Sequence, residues 1–537
     1  MDVKGWKTGN GLLIAVSLSI FFRTANSGLD LSESGAFQVI SWLLAIVAAG
    51  LLWRTDLLSP QATSVTQSSS GKSVTGLSIG LASVILMIYF AFASPTVIAR
   101  WTGYSYLAIV AALLIVYFLF GWLLNSGHLS ARLTRRAVLA CNILFILSLV
   151  WTILPHQINF PANPSSYPLD APLASPLGTI FLFMMLVLSP VVFVDFILFA
   201  RQISLEKPSL HQLGGSFAAA ALFFLVMVFF HVFTSIYDYA PVIGPLFRDR
   251  FWFVYLLAGL GMGLPILLVR PETFRSSKSE ASPAFTPSML GILGLLSVAA
   301  LFVTTSRPAA LQNGKQLKVM TYNIQQGFDV NGNKNLQGQL AEIREVNPDI
   351  LGLQESDTAR IATGNVDAVR YFADHLNMYS YYGPTTTTGT FGIALLSKYP
   401  IQNPTTFFMY STGEQTAAIH AEISVGGKAF QIFVTHLGNG GPMIQLQNLL
   451  TRIDSLNNVI GMGDFNFEPT TDQYALLTKT LADSWLLKWP EGKPIPGLGA
   501  DRRIDYIFVS PDTNVIDAEY VVNTASDHPS MYILIQK

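Results

Sequence analysis

A single cysteine, Cys141, occurs in the 537-residue chain, and charged residues make up only 12% of it. One thiol excludes intramolecular disulfides and any cysteine-based metal site. Placed in an apolar run, it reads as a small core hydrophobe. No Asn-x-Ser/Thr acceptor with a non-proline middle residue occurs, so nothing marks the chain for N-glycosylation. With 51% hydrophobic residues and a mean hydropathy of +0.44, the scarcity of charge excludes an ordinary soluble protein. It points to the integral membrane class.

What charge there is lies unevenly. Residues 1–305 hold 16 Lys+Arg and 11 Asp+Glu, whereas residues 306–537 hold 16 and 22, a balance of −6. An acidic C-terminal half is a poor partner for nucleic acid, whose binding comes mainly from basic residues meeting phosphates.

Apolar runs of about 20 residues, enough to cross a bilayer, recur through the first 305 positions. Nine spans are expected, near 10–23, 37–53, 77–98, 104–124, 137–155, 177–200, 215–237, 251–269 and 286–305. The first, "NGLLIAVSLSIFF", resembles a signal peptide in length but has no small-residue cleavage site and is soon followed by another span. Lys and Arg are retained in cytoplasmic loops. With the N-terminus inside, twelve fall on the cytoplasmic side: Lys4, Lys7, Arg54, Lys72, Arg132, Arg135, Arg136, Arg201, Lys207, Arg270, Arg275 and Lys278. Four fall opposite: Arg23, Arg100, Arg248 and Arg250. Nine spans then put the C-terminal half on the extracytoplasmic side, in a periplasm, at the cell exterior or in an organelle lumen. Asp195 and His231 lie inside spans, where ionisable groups are costly. They are candidates for pairing between helices or for contact with a substrate headgroup.

From Gln316 the texture changes. Short β-rich runs ("LKVMTYNI", "DILGLQE", "FGIALLS", "AFQIFVTHL", "NVIGMGDFN", "RIDYIFVS", "MYILIQ") alternate with helical patterns near 336–347, 366–377, 442–456 and 473–485. The expected organisation is a transmembrane domain over 1–305, a linker over 306–316 and an α+β domain over 317–537. Polar residues gather at the strand ends: Asn323, Glu355, His436, Asp464, Asn466, Asp505, Asp527 and His528. Any one of these is commonly a cap, a turn or a structural histidine. As an ordered set they offer a carboxylate for a hard cation, Asp–His combinations for proton handling, and asparagine amides for phosphate oxygens. Phosphoester hydrolysis needs that kit.

The ordered series Asn323, Glu355, His436, "GDFN" (463–466), "DY" (505–506) and "SDH" (526–528) resembles the endonuclease/exonuclease/phosphatase superfamily. The resemblance implies a four-layer α/β/β/α sandwich with its site at one end of two sheets. It implies that Glu355 binds Mg²⁺ (or Mn²⁺ or Ca²⁺), helped by Asn323 and Asp527. Asp464 would orient or deprotonate the attacking water, Asn466 would hold a phosphate oxygen, and Asp505 would pair with His528. His436 would stabilise the pentavalent state or the leaving group. The arginine that nucleases often place before the His436 strand is missing from "TGEQTAAIHAEI", leaving Arg502 and Arg503 as candidate sources of positive charge for substrate. More narrowly, "YYGPTTTTGTFGIALLSKYPI", "GEQTAA", "VTHLGN" and "HVFTSIYDYAPVIGPLFRDR" are similar to Cwh43 and the PGAP2-interacting proteins, which implies remodelling of GPI-anchor lipid at a lumenal leaflet. The intact "GDFN" favours hydrolytic or transfer chemistry.

Three readings follow. One is a metal-dependent phosphodiesterase or lipid phosphotransferase acting on membrane lipid, with no nucleic-acid partner. Another is a membrane-tethered nuclease. The third is a non-enzymatic lipid receptor or transporter.

Overall fold

The computed structural model describes residues 3–31, 38–43, 46, 71–126, 133–172, 176–274, 285–308, 314–389, 391–498 and 502–537. The chain divides into two compact units. The first comprises Met1–Pro155, Ala174–His231 and Arg250–Val303 and is helical. Among the described residues, seven helices are long and apolar enough to cross a membrane: Ser73–Phe92, Tyr106–Asn125, Arg135–His156, Leu177–Glu206, Leu210–Phe233, Phe251–Leu268 and Thr286–Thr304. They match seven of the nine expected spans. The first expected span is helical within Val3–Ala25, although its apolar part, Gly9–Ala25, is shorter than the others. The second, 37–53, lies mostly outside the described residues. The expected span 77–98 ends early because Pro95 starts a separate helix, Pro95–Thr102, after extended Ser94. A proline tolerates the first turn of a helix and not its interior.

Both ionisable residues expected inside spans are buried in this unit. Asp195 accepts a hydrogen bond from Asn142 Nδ2 at 3.2 Å. His231 Nε2 lies 3.1 Å from the Tyr255 hydroxyl, among the rings of Phe90, Phe251 and Tyr255.

The second unit comprises His156–Leu173, Val232–Asp249 and Thr304–Lys537. Among the described residues it carries thirteen strands in two sheets. In the seven-stranded sheet the order is β1 (Leu169–Asp170), β6 (Ile401–Met409), β7 (Thr416–Val425), β8 (Lys428–His436), β9 (Val459–Asp464), β11 (Asp505–Val509), β10 (Ala482–Asp483). In the six-stranded sheet it is β12 (Val515–Val521), β13 (Ser530–Gln536), β2 (Gln316–Asn323), β3 (Ile350–Gln354), β5 (Ala394–Ser397), β4 (Tyr379–Tyr382).

Alternation along each strand splits the side chains between layers. Ile432, Val434, Ile460, Met462, Ile507 and Val509 face inward, against Val319, Ile350, Leu395 and Ile533 of the other sheet. Phe433, Val459, Tyr506 and Phe508 face outward, under the helix Met443–Ile453 and Leu477. Helices Leu336–Val346 and Ala368–Leu376 bury their own apolar faces. The result is the α/β/β/α sandwich expected from the sequence.

Two details depart from the sequence reading. The helix expected at 473–485 is broken into Asp472–Leu477 and Ser484–Lys488. Asp483 causes the break: it pairs in β10 with Phe508, and its carboxylate caps the second helix through the Trp485 N–H. The stretch between the expected spans 137–155 and 177–200, where no strand was expected, supplies β1, an edge strand paired with Phe407 and Phe408. Ile158 and Tyr167 from the same stretch enter the core between the sheets.

Candidate active site

Register sets the site. Parallel pairing of β8 with β9 puts His436 opposite Asp464, and antiparallel pairing of β9 with β11 puts Asp505 opposite the same residue. In the other sheet, parallel β2 and β3 end together at Asn323 and Gln354, so Glu355 follows at the same edge. Gly463 makes the β8–β9 pairing possible. A Cβ there would lie 2.0 Å from the Thr435 carbonyl oxygen, and φ is +152°. Glu355 and Asn466 adopt left-handed φ values of +46° and +53°. Backbone strain of this kind is held only where surrounding structure over-determines it, and it gathers at functional sites.

Asp464 is the hub. Its Oδ2 accepts from Asn323 Nδ2 at 3.2 Å and lies 3.6 Å from His436 Nε2, while its Oδ1 accepts from the Asn466 N–H at 2.9 Å. Burial, and then the Asp505 carboxylate, push its carboxyl up to about 6, against the opposing pull of His436, His528 and the Asn466 N–H. His528 Nδ1 sits 2.9 Å from Asp505 Oδ2. Burial alone would lower the pKa of His528. The facing Asp505, with Asp464 and Asp527, outweighs this and raises it to about 10, so the ring is an imidazolium at neutral pH.

The remaining predicted residues divide. Asn323 is buried and donates to both Glu355 Oε1, at 3.3 Å, and Asp464. Asn466 Nδ2 donates to the Leu437 carbonyl at 2.9 Å, which fixes the amide on the cavity wall. Asp527 is exposed and takes a long contact, 3.4 Å, from the Ser526 hydroxyl. Arg503 is not brought to the cavity. It is buried in an ion pair with Asp483 at 2.9 Å and lies over the Tyr506 ring. Arg502 is exposed and is not among the residues lining the cavity. Asp195 and His231 belong to the helical unit and are not among the lining residues.

The residues that come together line a cavity of about 770 Å³. Its wall includes Glu355, His436, Asp464, Asn466 and His528, with Phe391 stacked on His436 at 6.3 Å. Asp238, Tyr239 and Glu414 also line it and were not singled out as site residues from the sequence, although they lie inside the quoted "SIYDYAP" and "GEQTAA". Among the described residues, no Lys or Arg lines it.

The donor set suits a hard cation. Asp464, Asp505 and His528 offer ligand atoms within 4.8 Å of one another. The hydrogen bond between His528 and Asp505 occupies that nitrogen, however, and hard cations take oxygen. Glu355 shares the Asn323 amide donor with Asp464 and offers carboxylate oxygen at the same end of the sheets.

The second unit is thus an α/β/β/α sandwich with a polar cavity at the strand ends of its sheets. Residues 314–480 match the family described as "PGAP2IP, C-terminal nuclease-like domain". Protein cwh43 of Schizosaccharomyces pombe (strain 972 / ATCC 24843) is 27% identical over 271 residues, which is 47% of this chain and 28% of that protein's length. Among solved structures, an endonuclease/exonuclease/phosphatase from Beutenbergia cavernae DSM 12333 is similar at 20% identity and TM-score 0.35, covering 42% of this chain and 72% of that one. The human Nocturnin catalytic domain with bound sulfate anion is similar at 23% identity and TM-score 0.35, covering 41% and 93%.

Proposed function

We propose that this chain is a metal-dependent phosphodiesterase or lipid phosphotransferase acting on phospholipid or GPI-type glycolipid headgroups at the extracytoplasmic leaflet. One observation carries the reading: a phosphoester-cleaving set of side chains faces a cavity whose described lining has four carboxylates and no Lys or Arg. Such a wall does not suit a nucleic-acid backbone, which demands basic contacts. The seven apolar spans supply the reason for a lipid. The GPI-type substrate is what the family resemblance read from the sequence implies.

Glu355 is the group that would hold Mg²⁺, Mn²⁺ or Ca²⁺, beside Asp464. The ion supplies charge neutralisation at the phosphate when bound. The chain's own residues do the rest. Asp464, ionised above about pH 6, accepts the proton of the attacking water or lipid hydroxyl. Asn323 holds Asp464 and Glu355 at fixed separation through its two hydrogen bonds. His528, kept protonated and oriented by Asp505, donates to a phosphate oxygen as negative charge grows there. His436 lies beside Asp464 on the cavity wall and stabilises the departing oxygen.

The test is turnover by the full chain, purified in detergent with Mg²⁺, on phosphoinositides, GPI-type glycolipids, sphingomyelin, and single-stranded and duplex DNA. Cleavage of at least one lipid phosphodiester is expected. DNA cleavage without lipid turnover would overturn the reading.

A further inference from the structure

The catalytic cavity is closed in part by chain that does not belong to residues 304–537. The segment 232–249 folds with the sandwich as part of the second unit. It is fastened at several points to the connection between β6 and β7. The Tyr237 hydroxyl donates to the Gly413 carbonyl at 3.0 Å. The Arg248 guanidinium donates to the carbonyls of Thr412 and Ser411, each at 3.2 Å. Asp238 lies flat on Gly413, where a Cβ would come within 2.6 Å of Oδ2. This fastening turns Ile236, Asp238 and Tyr239 into cavity wall, next to Glu414.

The chemistry of that wall is one-sided. Asp238 and Glu414 present carboxyl groups, and Arg248 is committed to backbone carbonyls and to the Tyr237 ring. Beside them, Gln415 and Thr416 also line the cavity, at 1% and 7% exposure. Their Oε1 and Oγ1 atoms are buried without a hydrogen-bond partner, while Gln415 Nε2 is spent on the Met409 and Thr416 carbonyls. Acceptors therefore predominate on this side, and their complement is a group rich in N–H or O–H. Burial, and then the charges of Asp357, Glu355 and Asp238, hold the Glu414 carboxyl well above its usual range, with the Phe391 N–H opposing. A cation brought there by the substrate would reverse that shift.

We propose that segment 232–249 and Glu414 form the headgroup wall of the catalytic cavity and select phosphodiesters whose headgroup carries a protonated amine. The inference rests on the lipid phosphodiesterase reading and narrows its substrate. Charge decides for an amine over an amine-free polyol. One hard cation at Glu355 leaves the Asp238 carboxylate uncompensated and Glu414 held toward its neutral form, and a cationic headgroup balances Asp238 and lets Glu414 ionise without repelling the phosphate. An exposed Tyr239 ring beside Asp238 offers the same headgroup a cation–π surface.

The experiment uses the full chain in mixed micelles and two matched lipid pairs. One pair is phosphatidylethanolamine and its N-acetyl derivative. The other is an amino-sugar-linked phosphatidylinositol and its N-acetylated form. The readout is the kcat/KM ratio of amine to N-acetyl form within each pair. A wild-type ratio of about ten or more is expected in at least one pair, as for loss of one charge-assisted contact, and the pair showing it identifies the headgroup. In Asp238→Asn and Glu414→Gln the ratio should fall toward one. A general loss of activity that leaves the ratio intact in both variants, or a wild-type ratio of one in both pairs, overturns the proposal. If the wild type cleaves no lipid phosphodiester at all, the proposed function falls, and this inference with it.

Discussion

Asp505 and His528, 23 positions apart in the chain, meet with Oδ2 and Nδ1 2.9 Å from each other. The second oxygen of Asp505 is buried and unpartnered. The pair gives the imidazolium a fixed ring orientation, which a proton donor to phosphate needs. Asp505→Asn keeps the shape but removes the charge that holds His528 protonated. Steady-state kinetics on the preferred lipid should show kcat falling by roughly 10²- to 10⁴-fold, with KM changed far less. A drop confined to KM would show that the pair serves substrate binding and not chemistry.

The same groups set a pH profile. Asp464 must be ionised, and its raised pKa of about 6 places the acid limb there. His528 must be protonated, and its raised pKa of about 10 places the alkaline limb there. Activity should therefore be bell-shaped with a broad top between these values, each limb belonging to the coupled set and not to one residue. In Asp505→Asn the main charge raising His528 is gone, so the alkaline limb must move down. A limb that stays put in that variant would remove His528 from the role.

Asp464 also carries a cost in stability. Its folded pKa lies above the ordinary value of 3.8, so folding favours the protonated form. That preference is fully present below about pH 4 and is lost as pH rises through about 6. At pH 7.5 the carboxylate is buried ionised beside Asp505. Asp464→Asn should then stabilise the second unit at pH 7.5 by up to about 3 kcal/mol, read as a higher Tm, and leave the Tm nearly unchanged at pH 4. The variant should be inactive. A lowered Tm at both pH values would mean that the hydrogen bonds of Asp464 outweigh its charge.

Much of this site was legible in the sequence because it depends on strand ends. "GDFN", "RIDYIF" and "SDHP" each close or open a strand, and register alone brings Asp464, Asp505 and His436 into one row. Local pattern carries that information. It does not carry the recruitment of 156–173 and 232–249 into the second unit, because nothing in "SSYPLDAP" or "SIYDYAP" says which sheet edge or cavity will receive it. Arg503 shows the opposite failure. Proximity in sequence to Asp505 suggested the cavity, but Arg503 lies just before β11 and pairs with Asp483 instead.

Glu355 tests the metal. Glu355→Gln keeps the volume and the Asn323 contact but removes the negative charge of that side chain from a hard cation. Turnover should be abolished, and excess EDTA should do the same to the wild type. Thermal melts give a readout besides activity: Mg²⁺ should raise the wild-type Tm, as ligand binding to the native state requires, and should not raise that of the variant. Equal Mg²⁺ stabilisation in both would move the ion to other residues.

Sidedness is the last test. Residues 156–173, 232–249 and 304–537 form one compact unit, so all three must occupy the same face of the membrane. The spans between them come in twos: Leu177–Glu206 and Leu210–Phe233 separate the first two, and Phe251–Leu268 and Thr286–Thr304 separate the second from the third. An even number returns the chain to the side it left. This parity does not depend on the first helices, and the loop-charge bias of twelve to four predicts that side to be extracytoplasmic. Cys141 is the only native thiol, so a Cys141→Ser background accepts single reporter cysteines at exposed positions Ser165, Val242 and Asn331. In intact cells, or organelle vesicles opened from the lumenal side, all three should react with a membrane-impermeant maleimide. Protection of all three would invert the orientation and move the substrate to the cytoplasmic leaflet. Labelling of only one or two would break the parity and, with it, the assignment of 232–249 to the catalytic cavity.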